Sequence, residues 1–434
     1  MKAGRIRFAA GLLLLAVFAA GFFSAAGLLG PLHSLLVYLQ LSPALLRLTS
    51  SGAAAAAGAA VIIILILASS VFFSRVYCGL LCPAGLLQDL VGRLKRRKYR
   101  RQPGLAHIHY PVTLLTAAGA AAGIMTLVTL IEPYALFGRI MRDLIQPVAS
   151  GAVNLAGLLF LEFGIYLHSW PFELHPGAAA VSGGLALLLA ASVLLTGRVF
   201  CNSLCPVGGV LRLAATKSLY GIRLEAESCI SCGACEAVCP AGCIDLTKKQ
   251  VDTGRCVMCL DCLGICPVNA LAYKRSPLPG EKRQGTRSGI SRRSFLQLIT
   301  AAGAGLLAGC ETGSPPSRSL EDASLPLPAS PPGSVSVGRF SSSCIACHLC
   351  VSRCPTRVLQ PGFFDYGLKG VNQPVMDFSA GFCEYECVDC SQVCPTGAIR
   401  RDSHGHVAAK CDFCAESGEP ACVANCPNEA LRIE

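Results

Sequence analysis

The sequence predicts an α-helical transmembrane bundle of four helices, followed by two small α+β domains that are rich in cysteine. Of the 434 residues, 53% are apolar and only 15% are charged, and the apolar excess lies in blocks within the first two hundred residues. A soluble protein usually carries about 25% charged residues. The 26 cysteines fall mostly in tight groups that end in Cys-Pro. This spacing indicates metal ligation rather than a disulfide framework.

The predicted membrane domain covers residues 1–215. Four apolar stretches in it are long enough to cross a bilayer, which requires about 20 helical residues. They lie at 8–29, 53–73, 111–131 and 178–197. A further apolar stretch at 148–168 is predicted to be interfacial or re-entrant, because an internal repeat requires an even number of crossings between its two copies.

The net charge of +11 comes largely from basic segments that set the orientation of a protein in the membrane. Of the 37 basic residues, 17 lie in the segments 1–8, 93–101 and 274–293. By the positive-inside rule, the N-terminus and the loop at 93–101 are cytoplasmic. Because the basic residues are concentrated in these segments, we expect membrane lipid as a partner and no nucleic acid.

The internal repeat contains two cysteine pairs. Residues 75–83 read R-V-Y-C-G-L-L-C-P and residues 198–206 read R-V-F-C-N-S-L-C-P, each after an apolar helix. Such a duplication predicts the same element on the same side of the membrane. The pairs are predicted to bind a cofactor that the sequence does not identify: Cys78, Cys82, Cys201 and Cys205. Four interpretations of these pairs remain open: a four-thiolate site, two disulfides, an electron relay, or four thiols kept for packing.

Residues 216–275 carry two groups with the spacing C-x2-C-x2-C-x3-C-P, which is that of bacterial two-cluster ferredoxins. In this pattern the fourth cysteine of each group ligates the other cluster. The spacing therefore predicts two [4Fe–4S] clusters, one held by Cys229, Cys232, Cys235 and Cys266 and the other by Cys256, Cys259, Cys262 and Cys239. Cys243 lies outside the pattern and is predicted to be a small buried residue.

Residues 338–434 carry twelve further cysteines, enough for three [4Fe–4S] clusters in a second ferredoxin-like domain. They form three groups: Cys344, Cys347, Cys350 and Cys354; Cys383, Cys387, Cys390 and Cys394; and Cys411, Cys414, Cys422 and Cys426. The spacing does not show which groups exchange their fourth cysteine. The residues C-I-A-C-H at 344–348 also match the attachment motif of c-type haem. Two further cysteines complete a ferredoxin motif over the same residues, which favours a cluster.

Residues 276–337 connect the two cysteine-rich domains. They comprise a basic linker, a signal-like segment at 291–310 and a tether rich in Pro and Ser. The paired Arg292 and Arg293 before a short apolar run predict a Tat export signal. The residues L-A-G-C resemble a lipobox, in which Cys310 would be lipidated. The alternative to an export signal is an ordinary short anchor helix. If the export signal works, the domain at 338–434 is extracytoplasmic.

Eight ionisable residues near the apolar blocks are candidates for quinone or proton contacts, because charge inside a membrane is costly and often functional. They are His33, Arg47, Glu132, Arg139, Arg142, Glu162, His168 and His175. For each of these residues, the alternative is that it lies in a wet interfacial loop and makes no quinone or proton contact. Because the sequence contains no Walker loop, dinucleotide fingerprint or convincing hydrolytic triad, the catalytic residues stay unknown.

Taken together, these motifs resemble a known pair of proteins. Residues 1–275 resemble the NapH-type membrane quinol dehydrogenase ferredoxins of periplasmic nitrate reduction, on their four helices, two C-x3-C-P pairs and paired ferredoxin groups. Residues 291–434 resemble the NapG-like, Tat-exported polyferredoxins, with three cysteine groups instead of the usual four. The resemblance implies a natural fusion of the two in the bacterial inner membrane. It also implies oxidation of menaquinol or a related quinol, with electrons passing to a periplasmic cytochrome c or reductase.

Two alternative functions remain open. Because [4Fe–4S] potentials range from about −700 to +450 mV, the spacing does not set the direction of electron flow. Electron transfer from ferredoxin to quinone is therefore the reverse route. A redox factor for metal-centre assembly, like the CcoG-like oxidase assembly proteins, is the second alternative. The helices carry no evident haem pair, so the sequence also leaves open how electrons cross the bilayer.

Overall fold

The computed structural model describes residues 2–23, 29–50, 52–94, 99, 106–161, 163–164, 166, 173–216, 218–275, 328–384 and 387–401. Several predictions fall outside these residues. They concern the Tat-like segment at 291–310 with Cys310, the third cysteine group of the last domain (Cys411, Cys414, Cys422 and Cys426), and two ionisable candidates, Glu162 and His168.

The membrane domain combines long helices with short helices joined by tight turns. Its helices are α1 (Lys2–Ala20), α2 (Gly30–Tyr38), α3 (Leu41–Ser50), α4 (Ala53–Phe73), α5 (Val76–Leu80), α6 (Pro83–Gly92), α7 (Ala106–Ala121), α8 (Thr126–Ile131), α9 (Pro133–Arg139), α10 (Gln146–Leu161), α11 (Pro176–Thr196), α12 (Val199–Ser203) and α13 (Pro206–Ala215). A π-helical turn, Ile140–Ile145, joins α9 to α10.

Four helices of the described residues are long and apolar enough to cross a membrane, as the sequence predicted. They are Ala3–Ala20, Ala53–Phe73, Pro133–Leu161 and Pro176–Thr196. The third differs from the predicted third stretch at 111–131, whose crossing stays a prediction: His109 near the start of α7 contacts Cys205 O, and Met125 after its end donates to Lys369 O of the second cysteine-rich domain. That stretch is divided between α7 and α8, and the break contains Gly123, whose φ of 75° is favourable for glycine.

The segment predicted at 148–168 to be interfacial or re-entrant belongs to a longer element, because residues 133–161 form one continuous helix. Its position relative to the membrane stays a prediction. Hydropathy indicated only the second part of this helix, at 148–168, because Arg139, Arg142 and Asp143 interrupt the apolar run before it. The wider π-helical turn directly precedes Pro147, whose ring nitrogen cannot donate to the α-helical ladder.

The two cysteine-rich domains are built from short helices and two-stranded antiparallel sheets. In the first, β1 (Tyr220–Leu224) pairs with β4 (Leu271–Arg275) and β2 (Ile244–Asp245) with β3 (Gln250–Val251), beside α14 (Ala234–Val238) and α15 (Asp261–Ile265). In the second, β5 (Leu359–Pro361) pairs with β6 (Pro374–Met376), beside helices Val337–Ser343, Leu349–Arg353 and Asp389–Val393 and a 3-10 turn at Gly367–Lys369.

These domains contact opposite ends of α4. After its C-terminal end, Ser74 Oγ donates to Thr253 O of the first domain at 2.9 Å. Before its N-terminal end, Arg339 of the second domain donates to Ser50 O at 2.8 Å. A helix of 21 residues is about 32 Å long, close to the thickness of a bilayer core. The helical bundle therefore separates the two domains.

One continuous buried core connects all three parts of the protein. It includes Cys256 and Cys259 of the first cysteine-rich domain and Cys347 of the second. Between them it includes Cys78 and Cys201 from the two C-x3-C-P repeats. One predicted ligand of the second domain, Cys347, thus shares a buried core with cysteines of the other two parts, while Cys350 and Cys390 belong to a separate core cluster.

Candidate metal centres

Each C-x3-C-P repeat folds as two short helices joined at the second cysteine. The first cysteine lies in a five-residue helix, α5 or α12, and the second is the N-cap of the next helix, α6 or α13. The proline that follows occupies the first helical turn, where its missing N–H leaves no hydrogen bond unmade. The motif itself therefore begins α6 and α13.

The two repeats are held together by reciprocal hydrogen bonds from their arginines. Arg75 of the first repeat donates to Cys201 O at 2.9 Å, and Arg198 of the second donates to Cys78 O at 3.0 Å. Both guanidinium groups are fully buried. Each arginine thus fixes the first cysteine of the other repeat, and the two repeats form one unit.

Glycines allow the helices of each repeat to approach closely. A Cβ on Gly85 would lie 2.3 Å from Cys78 O, and a Cβ on Gly208 would lie 2.3 Å from Cys201 O. Since these neighbours are backbone atoms, no side-chain rotation could relieve the clash. Glycine at these two positions keeps the two cysteines of each repeat together.

The four thiols of the repeats form the cysteine quartet, defined as Cys78, Cys82, Cys201 and Cys205. Each is 4% exposed, and none is in a disulfide. Among the described residues, Asp89 forms ion pairs with Arg198 and, at 2.5 Å, with Arg7, whereas no carboxylate forms an ion pair with Arg75. Burial raises the pKa of Asp89, but the two guanidinium groups outweigh burial and hold that pKa below its usual value.

In the first cysteine-rich domain, one predicted cluster set lines a small buried cavity: Cys239, Cys256, Cys259 and Cys262. Cys243 is buried, as the spacing predicts, but it also lines this cavity, with its Sγ 3.5 Å from Cys239 Sγ. In the other predicted set, Cys229 and Cys266 are electrostatic neighbours of Cys235. These thiols fit the donor set of two [4Fe–4S] clusters, and the ligation itself stays a prediction.

The second cysteine-rich domain contains two cavities that indicate how its first two groups exchange a cysteine. One is lined by Cys344, Cys347, Cys350 and Cys394, and the other by Cys354, Cys383, Cys387 and Cys390. Each cavity thus receives three cysteines from one group and the Cys-Pro cysteine of the other group. This is the exchange typical of two-cluster ferredoxins, which the spacing alone left open.

His348 docks the second cysteine-rich domain onto the membrane helices. Its Nδ1 lies 2.9 Å from Asp143 Oδ1 and its Nε2 lies 2.8 Å from Asn372 O. Both ring nitrogens therefore have partners, which argues against His348 as the axial ligand of a haem. Ser182 donates to the other oxygen of the Asp143 carboxylate at 2.6 Å, so both carboxylate oxygens have hydrogen-bond partners.

The described ionisable candidates within the membrane domain mostly have structural partners. Arg47 donates to Pro395 O at 2.5 Å, Arg142 pairs with Glu173 at 2.6 Å, Arg139 donates to Thr129 O, and Glu132 caps α9. Burial and the charge of Arg353 lower the pKa of His33 to about 4. His175 is the N-cap of α11. Arg47, Arg139 and Arg142 are buried in helical segments, so the alternative of a wet interfacial loop is wrong for them, and a quinone or proton contact stays a prediction.

Sequence reasoning missed the roles of Arg75, Arg198, Asp89 and Asp143. The two arginines begin both copies of the R-V-x-C repeat, so the repeat itself contained a signal for them. The two aspartates carried no such signal, because their partners lie far away in the sequence.

Comparison with known families identifies the class of these centres. A 4Fe-4S binding domain family matches residues 55–102 and 178–223, which contain the two C-x3-C-P repeats. A 4Fe-4S dicluster domain family matches residues 228–270, which contain the paired ferredoxin groups. These matches support iron–sulfur clusters as the cofactors.

Individual relatives agree with this result. The ferredoxin-type protein NapH of Escherichia coli is 27% identical over 183 residues, which are 40% of this chain and 62% of the relative. The ferredoxin-type protein NapG of Escherichia coli is 32% identical over 74 residues, which are 17% of this chain and 31% of the relative. The chain is a NapH-like membrane ferredoxin with a NapG-like region. This confirms the resemblance inferred from the motifs.

A further relative of the NapH-like chain is the polysulfide reductase B subunit of Wolinella succinogenes. It is 34% identical over 108 residues, which are 23% of this chain and 51% of the relative. The chain spans less than two thirds of the length of each of these relatives. No solved structure matches it significantly.

Proposed function

We propose that this protein is the electron-transfer component of a quinol dehydrogenase in the bacterial inner membrane. It oxidises menaquinol or a related quinol and passes the electrons singly through [4Fe–4S] clusters to a periplasmic cytochrome c or reductase. The resemblance to NapH-type proteins supports the quinol as donor. The two cysteine-rich domains are α+β ferredoxin-like, the first cytoplasmic and the second extracytoplasmic.

One observation carries the proposal: a single buried core contains Cys256 and Cys259 of the first domain, Cys78 and Cys201 of the bundle, and Cys347 of the second domain. On one side, Gly79 contacts the backbone between two predicted ligands, where its Cβ would lie 2.4 Å from Val257 O. On the other side, a Cβ on Gly138 would lie 2.3 Å from Cys347 O. The bundle therefore touches predicted ligand loops of both domains, which supports an electron route across the bilayer.

The first test is low-temperature EPR of anaerobic membranes that contain the full chain, before and after addition of a menaquinol analogue. We expect new signals from reduced [4Fe–4S] clusters. Cys347→Ser should lower quinol-driven reduction of added cytochrome c at least tenfold. Ser352→Ala, a control in the neighbouring helix, should leave it unchanged. Clusters that respond to dithionite but not to quinol would contradict quinol as the donor.

A cleft at the first domain favours electron transfer from ferredoxin to quinone as the second candidate. This cleft of about 930 Å³ is lined by the exposed Cys232 and by four arginines, Arg5, Arg7, Arg93 and Arg198. Two aspartates in its lining, Asp89 and Asp261, pair with three of these arginines and leave the cleft with a net positive charge. A cationic surface beside a cluster would attract an acidic electron carrier. Reduction of membrane quinone by a reduced soluble ferredoxin, suppressed by high salt, would support this direction.

A further inference from the structure

We propose that Cys243 is a replacement ligand for the cluster predicted at Cys239, Cys256, Cys259 and Cys262. Cys239 and Cys243 are interchangeable as the fourth ligand: one sulfur binds iron, while the other keeps its proton and donates a hydrogen bond. The ferredoxin spacing gives Cys243 no role, because this residue lies outside it. The inference rests on the cluster ligation in the proposed function and adds a fifth sulfur to one site.

The number of thiols around the cavity is the first argument. Each of the two cavities in the second cysteine-rich domain is lined by four cysteines, which is the number of ligands that a [4Fe–4S] cluster takes. The cavity in the first domain is lined by five, because Cys243 joins the predicted set. One thiol at this cavity therefore exceeds what a single cluster needs.

The surplus thiol lies directly beside the ligand that it would replace. The Sγ atoms of Cys239 and Cys243 are 3.5 Å apart, and Cys256 is a further hydrogen-bond partner of Cys243. When Cys239 and Cys256 bind iron as thiolates they carry no proton, so Cys243 is the donor. Hydrogen bonds to ligating sulfurs stabilise the negative charge of a cluster and tune its potential. Cys243 therefore acts on the cluster even while Cys239 holds the iron.

The exchange of the two ligands is balanced without a further reactant. The bond between iron and Cys239 Sγ breaks, a bond between iron and Cys243 Sγ forms, and the proton of Cys243 passes to Cys239. No electron is transferred, so neither an oxidant nor a reductant is needed. Both cysteines belong to one short turn, in which Gly242 N donates to Cys239 O at 3.2 Å. The exchange therefore moves one turn and not the whole domain.

The second half of the same domain provides a direct comparison. Four residues after its own Cys-Pro cysteine, Cys266, it has Ala270 where the first half has Cys243. The backbone is alike at both places: Gly242 and Asn269 precede these residues with φ of 55° and 50°, and a strand, β2 or β4, follows. Ala270 is fully buried. A methyl group thus satisfies the packing at this position, and packing does not explain the sulfur of Cys243.

Iron and acid-labile sulfide analysis of the anaerobically purified full chain tests the proposal. Cys239→Ala should keep the iron content of the wild type, because Cys243 replaces the lost ligand. Cys239→Ala/Cys243→Ala should lose about one iron per chain if a three-iron cluster survives, or about four if the cluster is lost. Cys266→Ala is the matched control and should lose a similar amount, because Ala270 cannot ligate. Equal iron loss in Cys239→Ala and the double variant, or no loss in the double variant, would overturn the proposal.

A second variant covers the case in which Cys239→Ala fails to fold. Cys243→Ala should keep all the iron and lower the midpoint potential of one cluster, because the reduced, more negative state loses a hydrogen bond. Cys243→Ser, which keeps a donor, should lower this potential less. Thr247→Ala, an exposed change after β2, should leave every potential unchanged.

An EPR titration in which every potential of Cys243→Ala matches the wild type would reject the contact and the proposal with it. The titration and the iron analysis use dithionite as reductant and do not depend on quinol. Clusters that behave as expected in these variants but do not respond to quinol would therefore reject the quinol donor and leave the replacement ligand standing.

Discussion

At the scale of single residues, one carboxylate organises the end of the bundle near the first cysteine-rich domain. Asp89 binds Arg7 of α1 and Arg198 of the second repeat, and all three side chains are at most 10% exposed. Removing one partner of a buried ionic network leaves the others desolvated and unpaired, and this costs more than the intact network contributes.

Asp89→Ala should therefore lower the free energy of unfolding by about 3 kcal/mol. The matched control is Asp252→Ala, because this aspartate is 44% exposed and lies 3.8 Å from Arg212. We expect the control to cost less than about 1 kcal/mol. Denaturant unfolding in detergent, followed by loss of cluster absorbance, measures both. Equal losses in the two variants would mean that Asp89 has no special role.

At the scale of elements, the helix at 133–161 is longer than the apolar stretch at 148–168, because charged residues occupy its first part. Two of its charged residues have partners in other parts of the chain: Arg142 pairs with Glu173, and Asp143 accepts from Ser182 and lies 2.9 Å from Nδ1 of His348. The helix also docks the second cysteine-rich domain, where Gly138 lies against Cys347 O. Small residues allow this close contact of backbones.

Gly138→Val should loosen this docking, because overpacking at a tight contact costs about 1–3 kcal/mol. We expect faster hydrogen exchange in residues 338–353 and slower electron transfer to cytochrome c. Gly184→Val in α11 is the control, since a Cβ there would meet nothing within 4 Å. If residues 338–353 showed the same rate of hydrogen exchange in both variants, the Gly138 contact would not determine the docking.

At the scale of the whole molecule, the bundle separates two cysteine-rich domains and also connects them. The first domain contacts the ends of α4 and α11, where Arg198 N donates to Pro240 O at 2.7 Å. The second contacts the opposite end of α4 and the start of α8, where Met125 N donates to Lys369 O at 2.8 Å. This arrangement predicts that each domain faces a different compartment.

Protease added to intact spheroplasts should cleave within residues 338–384 and leave 220–275 protected. Inverted membrane vesicles should give the reverse pattern, because the same surfaces then face the opposite solution. Peptide mapping by mass spectrometry identifies the cleaved segments. Cleavage of both segments from the same side would contradict the proposed sidedness.

The sequence by itself determined the number of apolar spans and the ferredoxin-type cysteine groups with their cluster chemistry. Both are local properties, because hydropathy and ligand spacing are set by neighbouring residues. The tertiary structure decided that Cys394 joins Cys344, Cys347 and Cys350 at one cavity, and that the two repeats face each other through Arg75 and Arg198. It also decided that Asp143 is buried against His348, 205 residues away in the sequence. Such contacts depend on which distant groups balance each buried charge, and spacing and local hydropathy carry no information about that balance.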